Sequence, residues 1–126
     1  MTKDVLHYDT VGSFLRPEKL KQARQDFLEN KISREKLKFV EDEAIADLVE
    51  KEKQLGLKVV TDGEFRRSYW HLDTFWGFGG IEHTIPEHGY FFHGEETRAD
   101  SATVSGKIHY VENHPDVQAF SYLKEL

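Results

Sequence analysis

The sequence contains no cysteine. A disulfide framework, a thiol nucleophile and a thiolate metal ligand are therefore excluded for this chain. No apolar run approaches the ~20 residues that span a bilayer as a helix. The start, Met1-Thr2-Lys3-Asp4, has no apolar core of a secretory signal. Basic residues do not dominate, since 17 Lys and Arg face 23 Asp and Glu for a net charge of −6. Nonspecific nucleic-acid binding needs a basic face and is disfavoured. A cytoplasmic location is the reading that remains. Only three prolines interrupt 126 residues, so long helices are permitted. There is no internal repeat and no low-complexity linker, and the length suits one domain, 1–126.

What is present concentrates in one stretch, 58–80. An apolar run, Leu57-Lys58-Val59-Val60, stops at Thr61-Asp62-Gly63. Glu64, Arg66 and Arg67 follow, then Tyr69, Trp70, His71, Asp73, Phe75 and Trp76, which include both tryptophans of the chain. A β-branched run before Asp-Gly reads as a buried strand ending in a tight turn. Charged groups among large aromatics just past a strand end point to a ligand site.

Around this stretch the pattern alternates between the two periods. Residues 5–11 read as a first strand that stops at Gly12-Ser13. There the residues leave two readings open, an ordinary turn or a ligand approach to a glycine backbone beside a hydroxyl. Pro17 suits the first turn of a helix carrying Leu20, Ala23, Phe27 and Leu28, with Asn30 as its stop. Ser33 suits the N-cap of a longer helix. Its stripe is Leu37, Val40, Ala44, Ile45, Leu48, Val49 and Leu55, and Gly56 closes it. The acidic run Glu41-Asp42-Glu43 reads as a solvated face. Residues 81–111 alternate like strands: a hairpin or long excursion, then a second barrel strand around 102–108. His114-Pro115 opens a final helix with Val117, Phe120 and Leu123, which reads as cut mid-way.

Several constellations allow more than one reading. Seven histidines, among them His71, His83, His88 and His93, invite a metal centre. They lack H-E-x-x-H or Cys/His spacing, so surface and loop histidines are the better reading. Arg66, Arg67 and Arg98 have forks that clamp carboxylates or phosphates. Equally, one of Arg66 and Arg67 can pair with Asp62 or Glu64 while the other is solvated. Glu64 itself is either a pocket carboxylate or half of such a loop ion pair, and a surface pair contributes little. The aromatics are a flat-ring platform or simply a hydrophobic lid.

Two motifs carry a family resemblance: Val11-Gly12-Ser13-Phe14-Leu15-Arg16-Pro17, and Val60-Thr61-Asp62-Gly63-Glu64-Phe65-Arg66-Arg67 with its aromatic tail. In order and separation they resemble the cobalamin-independent methionine synthase family, in particular its short single-barrel bacterial members. The resemblance implies an α/β fold: the N-terminal fragment of a (β/α)8 TIM barrel with a β-hairpin-like excursion after the first βα unit. A complete barrel takes roughly 250 residues, so the expectation is one partial, truncated domain. The implied activity is methyl transfer from a methyl-folate-type donor to the thiol of homocysteine, giving methionine. In that reading Gly12, Ser13 and Glu64 bind the amino-acid substrate. Asp62, Arg66, Arg67, Trp70, His71 and Arg98 support them or contact the donor. The family's zinc is held by residues from the other half of the barrel, so no metal ligand is expected in this chain. Two competing readings stand beside this one. The first is a non-catalytic fragment that self-associates or docks onto the remainder of a barrel, because open sheet edges and half-covered faces invite association. The second is another activity on the related uroporphyrinogen-decarboxylase-like barrel.

Overall fold

The computed structural model describes residues 9–89, 91–96 and 98–126, the Phe92 side chain excepted. The chain divides into two compact units, one of residues 1–66 with 125–126 and one of residues 67–124.

The first unit is a helical pair followed by a turn. Helix α1 (Glu18–Leu28) starts after Pro17, whose carbonyl accepts the Leu20 and Lys21 amides. Glu29 caps its end, and Asn30 just beyond takes φ +58°. Helix α2 (Arg34–Gln54) starts at Ser33, and the Ser33 hydroxyl accepts the Lys36 amide at 3.1 Å. Such a cap stabilises a helix by about 1 kcal/mol. Gly56 closes α2 at φ +79°, a conformation that costs glycine little. Leu20 and Ala23 of α1 and Leu37, Val40, Ile45 and Val49 of α2 are buried, and Phe65 joins them from the turn beyond. Leu20 and Ile45 are fully enclosed, each contributing about 1.5–3 kcal/mol by burial. Leu55, placed on the stripe by its spacing, is exposed because it caps the helix instead of continuing it.

Three expectations for this unit are not met in full. Residues 57–60 form no strand. A strand exists by pairing, and no described segment pairs with these residues; Val59 is more than half exposed. Of the strand expected at 5–11, residues 5–8 lie outside the described residues, and 9–11 have no regular structure. The acidic run is a solvated face only at Glu43. Glu41 is 9% exposed, and Asp42 turns toward an arginine.

The second unit begins with a short helix, α3 (Leu72–Trp76). Strand β1 (Gly79–Thr84) follows and pairs antiparallel with the long strand β4 (Ser101–His109). The ladder slips between Gly79 and Ile81. Gly80 is needed there, because at φ +83° a Cβ would meet the Lys107 carbonyl oxygen at 2.4 Å; a Cβ on Gly79 would meet the His109 ring at 2.1 Å, and that exposed ring would have to turn aside. Between these strands, β2 (Phe91–Phe92) and β3 (Glu95–Glu96) make a small hairpin. Its turn residues His93 and Gly94 both have positive φ, as a tight two-residue hairpin turn demands. The expected excursion is therefore present. The strand expected at 102–108 exists as part of β4, and its partner among the described residues, β1, runs antiparallel to it.

Helix α4 (Pro115–Glu125) closes the unit. Its start is fastened by His114, which is 4% exposed. One ring nitrogen of His114 accepts the Asp116 amide at 3.1 Å, and the other lies 3.0 Å from the Thr74 carbonyl. Among the described residues, no helix is long and apolar enough to cross a membrane.

Candidate functional site

The turn that carries Glu64 is built by local hydrogen bonds. The Asp62 carboxylate accepts the Glu64 amide at 2.9 Å, and the Thr61 hydroxyl accepts the Gly63 amide at 3.1 Å. The Phe65 amide donates back to the Asp62 carbonyl at 3.3 Å. Gly63 and Glu64 take φ +66° and +57°. Two central residues at positive φ are the mark of a type I′ turn. At Gly63 this is nearly free. At Glu64 it costs roughly 1–2 kcal/mol, because a Cβ crowds the following carbonyl.

The N-terminal motif lies along this turn. The Phe14 amide donates to the Gly63 carbonyl at 3.1 Å, and Arg16 Nη2 donates to the Glu64 carbonyl at 2.7 Å. Gly12 takes φ +87° with open space around it, and Ser13 is exposed. The structure thus brings the Gly12-Ser13 segment and the Glu64 turn side by side. The half-buried Glu64 carboxylate has no hydrogen bond or ion pair among the described residues.

Behind the turn lies a charged network. Arg66 Nη2 meets Asp42 Oδ1 at 2.5 Å, and Arg66 Nη1 stands 4.0 Å from Glu41. Arg24 Nη2 donates to the Phe65 carbonyl at 2.6 Å and stands 4.0 Å from Glu41. Burial pushes the Glu41 carboxyl above its ordinary range, against the pull of Arg66 and Arg24. Burial also presses Asp42 upward, but hydrogen bonds from Lys38 and Arg66 outweigh it and hold that carboxyl low. Arg66 therefore pairs with Asp42, not with Asp62 or Glu64, and the fork is spent on the scaffold. Glu52, 3% exposed, accepts the Thr61 amide at 3.2 Å.

The pattern did not single out Arg24 or Glu52, and it reads Glu41 and Asp42 as solvated. A signal was present. Glu41 falls four residues from both Leu37 and Ile45, and Glu52 three from Val49, so both acids sit on the apolar stripe. Charge at a stripe position needs a buried partner or a job.

Arg67, Trp70, His71 and Arg98 belong to the second unit. Arg67 is not solvated: it donates to Asp116 at 2.8 Å and to the Trp70 carbonyl at 2.7 Å. Asp116 also accepts the Thr74 hydroxyl at 2.8 Å. Trp70 is 73% exposed, so it is no core residue. His71 sits among the rings of Tyr69, Trp70 and Phe75. Arg98 Nε pairs with Asp100 at 3.1 Å. The Asp100 side chain, 7% exposed, also accepts the Tyr69 hydroxyl at 2.9 Å and lies 2.7 Å from His83 Nε2. His83 in turn stacks on Trp76 with ring centroids 3.9 Å apart. Burial presses on Asp100, yet its hydrogen bonds with His83 and Tyr69 prevail and hold the carboxyl low. The same burial, and donation to Asp100, push the Tyr69 phenol up.

The comparisons with known proteins agree with the two motifs. The family model described as "Cobalamin-independent synthase, Catalytic domain" matches residues 6–75, which include both. Two Bacillus subtilis proteins, "Uncharacterized protein YxjH" and "Uncharacterized protein YxjG", are 43% and 41% identical over 118 residues, 94% of this chain. The chain spans 31% of the length of each. The crystal structure of the "Putative Vitamin-B12 Independent Methionine Synthase from Listeria monocytogenes" superposes with a TM-score of 0.74 at 37% identity. That match covers 95% of this chain and 32% of the solved one. With the matched model spanning more than half of its residues and both motifs, the chain belongs to the cobalamin-independent synthase catalytic-domain family.

Proposed function

We propose that this chain is the opening part of a barrel-type S-methyltransferase of methionine biosynthesis, and that it holds the amino-acid end of homocysteine or a similar small thiol. The observation that carries the reading is Glu64. A non-glycine residue in the left-handed region is strained, and such strain gathers at functional sites. Here it presents an unpaired, half-buried carboxylate beside the Gly12-Ser13 segment. An α-amino acid offers the complementary pattern, an ammonium for Glu64 and a carboxylate for the Gly12-Ser13 backbone and hydroxyl. The methyl-folate donor and the complete barrel are what the family resemblance implies, and this chain spans 32% of the solved relative.

Zinc chemistry is part of what the family implies. The residues present do not fit such a site. There is no thiolate, and among the described residues no three His, Cys, Asp or Glu side chains converge. His114 uses both ring nitrogens in the fold. No step is therefore assigned to a metal here. A free thiol near pKa 8.5 is mostly protonated at neutral pH, so activating it falls outside the chemistry of this segment. Its contribution is binding and orientation.

The test is Glu64→Gln, made in the complete barrel carrying this segment. The amide keeps the shape and one acceptor but loses the charge. A charge-assisted hydrogen bond contributes about 1.5–3 kcal/mol, so homocysteine affinity should fall at least about tenfold. Affinity for a methyl-folate donor, which offers Glu64 no ammonium, should hold. Separate calorimetric titrations read the two. Equal losses, or an unchanged homocysteine affinity, would make Glu64 a loop residue and end the proposal.

A further inference from the structure

We infer that Glu52 is the positioning residue of the Glu64 turn, acting through the Thr61 amide. This rests on the reading of Glu64 as the acceptor-binding carboxylate. Glu52 lies in the last turn of α2, 3% exposed. Its backbone carbonyl accepts the Leu57 amide at 3.1 Å, and its Oε1 accepts the Thr61 amide at 3.2 Å. One residue thus fixes both ends of the link between α2 and the site. From Thr61 the order passes on: its hydroxyl takes the Gly63 amide, and the adjacent Asp62 takes the Glu64 amide. The second oxygen, Oε2, is enclosed and has no partner among the described residues.

An enclosed carboxylate with one hydrogen bond is a poor choice for stability alone, because desolvating charge is costly. Burial accordingly pushes the Glu52 carboxyl up, with the Thr61 amide pulling against it and the Asp62 charge adding to it. What the side chain supplies is an acceptor at a fixed place, and a carboxamide supplies the same. Glu52→Gln should therefore preserve the turn, while Glu52→Ala should release it.

The experiment has two arms. In the 126-residue chain, amide hydrogen exchange is followed for wild type, Glu52→Ala and Glu52→Gln. Glu52→Ala should speed exchange at Thr61, Gly63 and Glu64 by about tenfold or more, while the Ile45 and Val49 amides of α2 keep their protection relative to global stability. Glu52→Gln should restore the wild-type pattern. Unchanged turn amides, or an increase spread evenly over the chain, would overturn the inference and leave Glu52 as packing. In the complete barrel, Glu52→Ala should weaken homocysteine binding and Glu52→Gln should recover it, with donor binding unaffected. If Glu64→Gln weakens homocysteine binding and Glu52→Ala does not, the positioning role is wrong and the acceptor site stands. If Glu64→Gln has no effect, the acceptor reading fails, and the exchange arm still decides whether Glu52 holds the turn.

Discussion

Arg66→Ala should be among the most damaging substitutions in the first unit, at about 3 kcal/mol, the lower end of the ~3–5 found when one partner of a buried pair is removed. The Arg66, Glu41 and Asp42 side chains are 18%, 11% and 22% exposed, so the acids would be left with little water in place of the guanidinium. Total stabilities run about 5–15 kcal/mol, so the loss would be large in proportion. The pH dependence should change with it. Asp42 has its carboxyl held low, so its share of stability exists above the ordinary carboxylate range and disappears on acidification through the lowered value. Glu41 is raised, so its share is complete below the ordinary range and is lost as pH climbs through the raised value. Without Arg66 the Asp42 share shrinks and Glu41 is raised further, so the variant should recover part of its deficit near pH 4. Urea midpoints at neutral and acidic pH measure this. A loss below about 1 kcal/mol would mean a solvated, surface-like pair.

Gly63→Ala should cost roughly 2–4 kcal/mol, from about 1 for the left-handed backbone and about 1–3 for overpacking. The new Cβ would stand 2.6 Å from Leu48 Cδ2, 3.0 Å from Phe65 Cε1 and 3.2 Å from Phe14 Cδ2. These are side-chain atoms and can give way, but Phe65 is 2% exposed and has little room. The movement should also strain the bond from the Phe14 amide to the Gly63 carbonyl, which holds the two motifs together. Gly12→Ala is the matched control. It has φ +87° and open space, so it should cost only the backbone part. Thermal or urea unfolding of the two variants separates packing from conformation. Equal losses would mean that the turn yields freely around Gly63.

Helix punctuation was the most legible part of this chain. Pro17, Asn30, Ser33 and Gly56 act locally, through their own φ preferences and hydrogen bonds, so they can be read in isolation. Strands were less legible because pairing is not local. The run 57–60 has the composition of a strand but no paired neighbour among the described residues, and alternation at 102–108 carries no information about the direction of its partner. Glu52 escaped notice, and Glu41 read as solvated, because stripe reading counts apolar residues and discounts an acid among them. The nearness of Gly12-Ser13 to Glu64 spans about fifty positions of sequence. No periodicity reaches that far; it was suggested by two expected strands that end just before these residues and by the pairing of two motifs in one family.

Asp116 gives the second unit an order of assembly. It joins Arg67 and Thr74 across 49 and 42 residues, and His114 meets Thr74 across 40. The β2–β3 hairpin, in contrast, closes over the few residues between Phe91 and Glu96. Each doubling of a loop adds about 0.6 kcal/mol to the entropic cost of closing it. The hairpin can therefore form early, and the Asp116 clasp should form last, after β1 and β4 have shortened the path. A contact made after the folding barrier slows unfolding without speeding folding. Asp116→Asn should shift the unfolding limb of a denaturant-dependent rate plot and leave the folding limb in place, so the clasp sets how long this unit stays folded, not how quickly it gets there.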